Sequence, residues 1–218
     1  MVRAVVFDVG ETLVDETRIW TRWADRLGVP ALTFLGVLGG CAALDRSHRH
    51  AFEMVRPGLD VPAEIERWAA DDPTGLRENF DADDLYPDVR EALAALRAAG
   101  LTVVVAGNQP PQARAALEAM DLPVDAIRTS DEWGVQKPDP GFFTRVVELT
   151  GVPAAEIAYV GDRLDNDVLP AADAGMVPIL VRRGPWGFLH AERPEAARVT
   201  VVDSLLELPT VLAPVPST

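Results

Sequence analysis

The sequence predicts an α/β protein: a parallel sheet covered by helices on both faces, interrupted once by an all-helical insertion. Three observations predict it. Short apolar, mostly β-branched runs alternate with Ala-, Leu- and Glu-rich segments over most of the chain. Those runs are apolar throughout, as strands buried on both faces require. One stretch, residues 15–85, breaks the alternation and offers no convincing strand.

The elements follow in order. Residues 2–7 read as a buried strand. The insertion comes next, rich in aromatic residues: Trp20, Trp23, Phe34, Phe52 and Trp68. Trp20 and Trp23 are three apart, share a helix face and read as bundle core. The main domain is then residues 1–14 joined to 86–218. Further strands are expected at 101–106, 157–160 and 177–181, with weaker candidates at 126–129 and 199–202. Helices are expected at 89–99, 112–120, 140–150 and 166–174. Gly100, Gly151 and Gly175 follow three of these and read as C-terminal caps. There is no internal repeat, and the Pro-rich tail 209–218 is expected to fray.

The formal charge of -14 and the pI of about 4.5 argue against nucleic acid or anionic lipid as partners. The same charge repels anionic substrates at long range, so a phosphate site would need local positive charge. The single cysteine, Cys41, cannot form an internal disulfide and reads as a buried thiol. The N-terminal apolar run is too short for a signal peptide. No apolar stretch approaches the roughly 20 residues of a membrane span. A cytoplasmic location is expected. Among 20 basic Lys and Arg residues, Lys137 is the only lysine. A compact ammonium with rotatable donors is what a carboxylate and a phosphate oxygen can share.

Function in an open parallel sheet collects at the carboxyl ends of the strands, and four such ends carry informative residues. The first is Phe7-Asp8-Val9-Gly10-Glu11-Thr12. An aspartate just past a buried strand is costly unless paired or metal-bound, or else caps a turn. The second is Gly107-Asn108, where a glycine lets backbone N–H groups approach an anion. The third is Lys137-Pro138-Asp139-Pro140, a rigid entry to a helix. The fourth is Gly161-Asp162-Arg163-Leu164-Asp165-Asn166-Asp167. Its three acids repel one another without a cation, and such oxygen donors suit Mg²⁺.

Together these residues resemble the haloacid-dehalogenase superfamily. The order is Asp8 after the first strand, small residues after the second, Lys-Pro-x-Pro, then Gly-Asp-x-x-x-Asn-Asp. The re-entry at Leu85-Tyr86-Pro87-Asp88-Val89 and the run Ala171-Ala172-Asp173-Ala174-Gly175-Met176 also look like that family. The resemblance covers nearly the whole chain and implies a Rossmann-like core with a helical cap inserted after the first strand. It implies a hydrolase using Mg²⁺, in which Asp8 is the nucleophile toward phosphorus and becomes an aspartyl-phosphate. Lys137 would hold Asp8 and a phosphate oxygen. Gly107 and Asn108 would complete the phosphate site, and Asp8, the Gly10 carbonyl, Asp162 and Asp167 would bind the metal. The expected substrate is a small phosphorylated molecule, and the chain a monomer or homodimer.

Two positions depart from the family. Phosphatases of this kind carry a second aspartate two residues after the nucleophile, where this chain has Gly10. A positioned acid–base group contributes about 10²–10⁴-fold. Its loss weighs most on alkyl phosphates and least on acyl or aryl phosphates. Glu11 is a candidate substitute by position alone. Gly107 stands where the family has Ser or Thr. Two alternatives stay open: a metal-independent 2-haloacid dehalogenase, which also lacks the second aspartate, and a degenerate homologue that binds a ligand or a protein. Phosphonate hydrolysis is excluded because the insertion has no lysine, and a phosphosugar mutase would need the second aspartate. In the insertion, Arg46, His48, Arg49 and His50 form the one basic cluster, read as a solvated helix face.

Overall fold

The computed structural model describes residues 1–73, 75–76 and 79–213. Six strands form one parallel sheet: β1 (Ala4–Phe7), β2 (Thr102–Gly107), β3 (Ala126–Thr129), β4 (Ile157–Gly161), β5 (Val177–Val181) and β6 (Thr200–Val202). Their order is β3-β2-β1-β4-β5-β6, with β1 central. All six strands expected from the sequence are present. The middle strands are apolar because both faces are covered, and every residue of β1 and β4 is buried. This is the expected α/β class.

By contacts the chain divides into two units, residues 1–15 with 81–218, and 16–80. The first holds the sheet and its helices. The second holds four helices, α1 (Thr17–Leu27), α2 (Ala31–Ala43), α3 (Arg49–Val55) and α4 (Val61–Asp71). The return lies near residue 81 rather than 86 because Asp81 caps a turn, Ala82–Asp84. That turn joins the sheet unit: the Asp15 N–H donates to Asp84 O at 2.8 Å, and Tyr86 N–H to Leu13 O at 3.0 Å.

In the helical unit, Trp23 packs edge-on against Phe52 at 4.8 Å and against Trp68 at 5.0 Å between ring centroids. Cys41 is a buried free thiol on α2, and burial pushes its pKa up. Arg46, Arg49 and His50 are exposed, as a solvated face requires. No single helix among the described residues is long and apolar enough to cross a membrane.

In the sheet unit the helices are α5 (Val89–Ala98), α6 (Pro111–Ala119), α7 (Ser130–Trp133), α8 (Pro140–Thr150), α9 (Leu169–Asp173), α10 (Gly184–Ala191) and α11 (Leu208–Val211). Gly100, Gly151 and Gly175 all take positive φ after their helices. The segment expected to be one helix over 166–174 is instead a π-turn, Leu164–Val168, followed by α9. Val168 N–H reaches back five residues to Arg163 O at 3.1 Å. The wider turn forms where the Asp167 carboxylate is drawn inward, accepting the Arg163 N–H at 3.1 Å. Residues 209–211 of the expected frayed tail belong to α11, anchored by the fully buried Leu208. Residues 214–218 lie outside the described residues.

Candidate active site

The carboxyl ends of β1, β2 and β4 converge on one polar cluster inside an apolar sheet. Asp8 extends the pairing of β1, its N–H donating to Val160 O at 2.9 Å, so its position is fixed by the sheet itself. Two glycines make room around it. A Cβ on Gly107, the last residue of β2, would lie 2.5 Å from Asp8 Oδ1. A Cβ on Gly161, at the end of β4, would lie 2.5 Å from the Asp167 side chain. The serine or threonine usual at position 107 therefore conflicts with Asp8 as it stands here, which gives Gly107 a steric reason.

Lys137 arrives from the loop before α8. Its main chain is clasped at both ends by Asn108. Lys137 N–H donates to Asn108 Oδ1 at 2.8 Å, and Asn108 Nδ2 donates to Lys137 O at 2.9 Å. The Asn108 amide thus positions Lys137, a use different from the phosphate contact expected of it. The lysine side chain is wholly buried, and its ammonium lies 5.8 Å from the Phe142 ring centroid and 5.4 Å from that of Tyr159. Nζ donates to Asp8 Oδ1 at 2.6 Å and to Asp167 Oδ1 at 2.5 Å. Burial alone would lower the lysine pKa. The carboxylates of Asp167 and Asp8 outweigh it and hold the ammonium well above its ordinary value. Tyr159 stays a phenol, pushed up by burial, and donates to Ala106 O at 2.8 Å.

Asp162 completes the group. One carboxylate oxygen from each of Asp8, Asp162 and Asp167 lies within 4.8 Å of the others, and all three residues are buried. Burial, then repulsion from Asp167 and Asp8, drives the Asp162 carboxyl well above the usual range. Burial also raises Asp167, Lys137 draws it back and Asp8 pushes it up, leaving it at about 6. Three hard oxygen donors at this spacing, with more negative charge than one lysine neutralises, fit a divalent cation. The third acid of the loop, Asp165, does not join them. It is exposed and forks onto Arg163 at 3.0 and 2.6 Å.

Glu11 is buried, at 8% exposure, in the left-handed region with φ of 51°. Tyr86 OH donates to its Oε2 at 2.5 Å. Its side chain occupies the space beside Gly184, where a Cβ would lie 2.5 Å from Glu11 Cγ. Its charge also contributes to raising Asp162. The sequence reading missed Tyr159 and Phe142, which flank Lys137, and Tyr86, which holds Glu11. Spacing from a glycine-rich turn carries no sign of such contacts.

A family model described as haloacid dehalogenase-like hydrolase matches residues 2–175. Glyceraldehyde 3-phosphate phosphatase of Methanopyrus kandleri is 30% identical, over 85% of this chain and 86% of that one. A plasmid-encoded phosphoglycolate phosphatase of Cupriavidus necator is 31% identical, over 97% of this chain and 93% of its own. Among solved structures, the magnesium-bound hydrolase YfnB of Bacillus subtilis superposes with a TM-score of 0.70. It is 16% identical and covers 98% of this chain and 99% of its own, a likeness of fold.

Proposed function

Given that the chain belongs to the haloacid dehalogenase-like hydrolases, we propose that it is a Mg²⁺-dependent phosphatase. Its substrate is a small phosphorylated metabolite of the cytoplasm. The phosphatase names of its relatives support the substrate class. The observation that carries the reading is the Lys137 ammonium, bonded to both Asp8 and Asp167 at the edge of a three-carboxylate cluster.

Asp8, Asp162 and Asp167 would hold the metal, with the Gly10 carbonyl as a further donor. Bound there, Mg²⁺ supplies positive charge that screens the approach of carboxylate to phosphate. Asp8 attacks phosphorus, the bond from phosphorus to the leaving oxygen breaks, and an aspartyl-phosphate forms. Water then hydrolyses it and returns the carboxylate. Lys137 holds Asp8 in one orientation and offers its charge to a phosphate oxygen. With the Asn108 amide engaged by Lys137, backbone N–H groups at Gly107 and Asn108 would be the donors left to the phosphate. Position 10 has no side chain to protonate the leaving oxygen, which favours acyl and aryl phosphates over alkyl ones.

The test is phosphate release from acetyl phosphate, an aryl phosphate and alkyl sugar phosphates, with and without Mg²⁺. Release that needs Mg²⁺ and vanishes in Asp8→Asn is expected. No release from any substrate turns the reading toward a binding protein or, if 2-chloropropionate is consumed without metal, a dehalogenase. The metal-independent reading is disfavoured by the crowding of three buried carboxylates, which a metal-free reaction leaves uncompensated.

A further inference from the structure

Behind the nucleophile loop lies a buried arginine that the proposed chemistry does not use. Arg183 follows β5 and immediately precedes α10. Its Nη1 donates to Thr12 O at 2.6 Å, and its Nη2 pairs with Asp88. The guanidinium lies 4.2 Å from the centroid of the Tyr86 ring. Tyr86 in turn donates its N–H to Leu13 O at 3.0 Å and its OH to Glu11 Oε2 at 2.5 Å. Three consecutive loop residues, 11, 12 and 13, are therefore tied down: Glu11 and Thr12 by two stacked side chains and Leu13 by the Tyr86 main chain.

The carboxylate that holds the anchor, Asp88, is itself fixed from outside the loop. Asp88 accepts from Ser204 OH at 2.6 Å and from Leu205 N–H at 2.9 Å, besides Arg183. These partners overcome the effect of burial and hold the Asp88 carboxyl below its ordinary value. The loop needs such a tie. Gly10 gives it no side-chain anchor, and Glu11 stands in a conformation that costs an L-residue about 1–2 kcal/mol. A planar fork can reach a carbonyl and a carboxylate at once and stack on a ring, which an ammonium cannot do.

We propose, resting on the phosphatase reading above, that Arg183 is a positioning residue for phosphoryl transfer. By holding the Thr12 carbonyl it fixes the loop that presents the Asp8 carboxylate and the Gly10 carbonyl. It touches neither substrate nor metal. Its influence is geometric, and misplacing a reacting group by about 1 Å costs on the order of 10²-fold.

The experiment compares wild type, Arg183→Lys and Arg183→Ala in acetyl phosphate turnover. Mg²⁺ affinity is measured separately by calorimetry, without substrate. For Arg183→Lys, kcat is expected to fall about 10²-fold with KM changed by less than about threefold, and Mg²⁺ Kd to rise about fivefold. Low guanidinium chloride is expected to restore part of kcat to Arg183→Ala, with sodium chloride as control. Should Arg183→Ala fail to fold, Asp88→Asn keeps the shape and is expected to lose about tenfold in kcat. An Arg183→Lys protein with kcat and Mg²⁺ affinity within about twofold of wild type overturns the proposal. A wild type that binds Mg²⁺ but releases no phosphate removes the phosphatase reading instead. The Mg²⁺ affinity of Arg183→Lys then decides the positioning role by itself.

Discussion

Lys137 and Asp8 are 129 residues apart in the chain, and their charged atoms are 2.6 Å apart in the fold. The same ammonium reaches Asp167 at 2.5 Å. One side chain therefore sets the orientation of the proposed nucleophile and of one proposed metal ligand. Lys137→Met should lower kcat/KM by about 10²–10³-fold, the range for loss of a preorganised electrostatic group. Lys137→Arg should not rescue it, because a planar fork places its donors differently from the compact ammonium that bonds both Asp8 and Asp167. Steady-state rates at fixed Mg²⁺ check both, and an arginine variant with near wild-type rates contradicts this account.

The pH dependence should carry two opposite signs. In the metal-free protein the Asp167 carboxyl titrates at about 6, above the ordinary aspartate value near 3.9. The folded state thus takes up this proton before the unfolded chain does, so the metal-free fold loses stability as pH rises from about 4 to about 6. Mg²⁺ needs the ionised form, so its stabilisation is present above about pH 6 and fades below it. Thermal melts across that window, with and without Mg²⁺, read both effects. An equal Mg²⁺ increment in Tm at about pH 5 and about pH 7.5 rules out this role for Asp167.

Restoring a carboxylate at position 10 should change substrate preference. Gly10→Asp is expected to raise kcat/KM on alkyl phosphates by about 10-fold or more, and to change acetyl phosphate little. Parallel rises on both substrates would show that leaving-group protonation is not what this chain lacks. Glu11→Gln tests the neighbour: the Tyr86 hydroxyl bonded to Glu11 can still donate to the amide. A turnover unchanged in this variant leaves Glu11 no part in proton transfer.

Gly184 should tolerate no side chain while Glu11 is present. Its φ is 57°, and an added Cβ would lie 2.5 Å from Glu11 Cγ. Gly184→Ala is expected to cost about 1–3 kcal/mol, a fall in Tm of roughly 2–4 °C per kcal/mol in a chain of this size. Adding Glu11→Gly removes the collision, so the double variant should be more stable than the sum of the single effects. Strictly additive changes would place the strain elsewhere.

The sheet and the chemistry-bearing loop ends were readable because each follows from local rules. Apolar runs bounded by glycine mark buried strands, and acids immediately after them are costly unless paired, capping a turn or bound to a cation. Lys137 stood out because a chain that otherwise uses arginine spends its one lysine there. What stayed hidden depends on where distant side chains end. Asn108 looks like a phosphate contact from its place after β2, yet both ends of its amide hold the Lys137 main chain. Arg183 is one arginine among many and belongs to no pattern, so its link to Thr12 O has no signature in one dimension. The π-turn at Leu164–Val168 likewise arises from the pull on Asp167, a tertiary demand that overrides a helical run.

The central place of β1 has a consequence for assembly of the chain. Ala4 finds its sheet partners at Thr102 and Ile157, so β1 pairs one edge only with a strand that starts at residue 102 and the other only with a strand that starts at residue 157. Local contacts alone cannot form this centre, and the closure entropy of long loops must be met first. Asp8 gains its full set of neighbours only when β4 and the turn beyond it have docked. A growing chain therefore carries the proposed nucleophile before it carries the residues that complete its site.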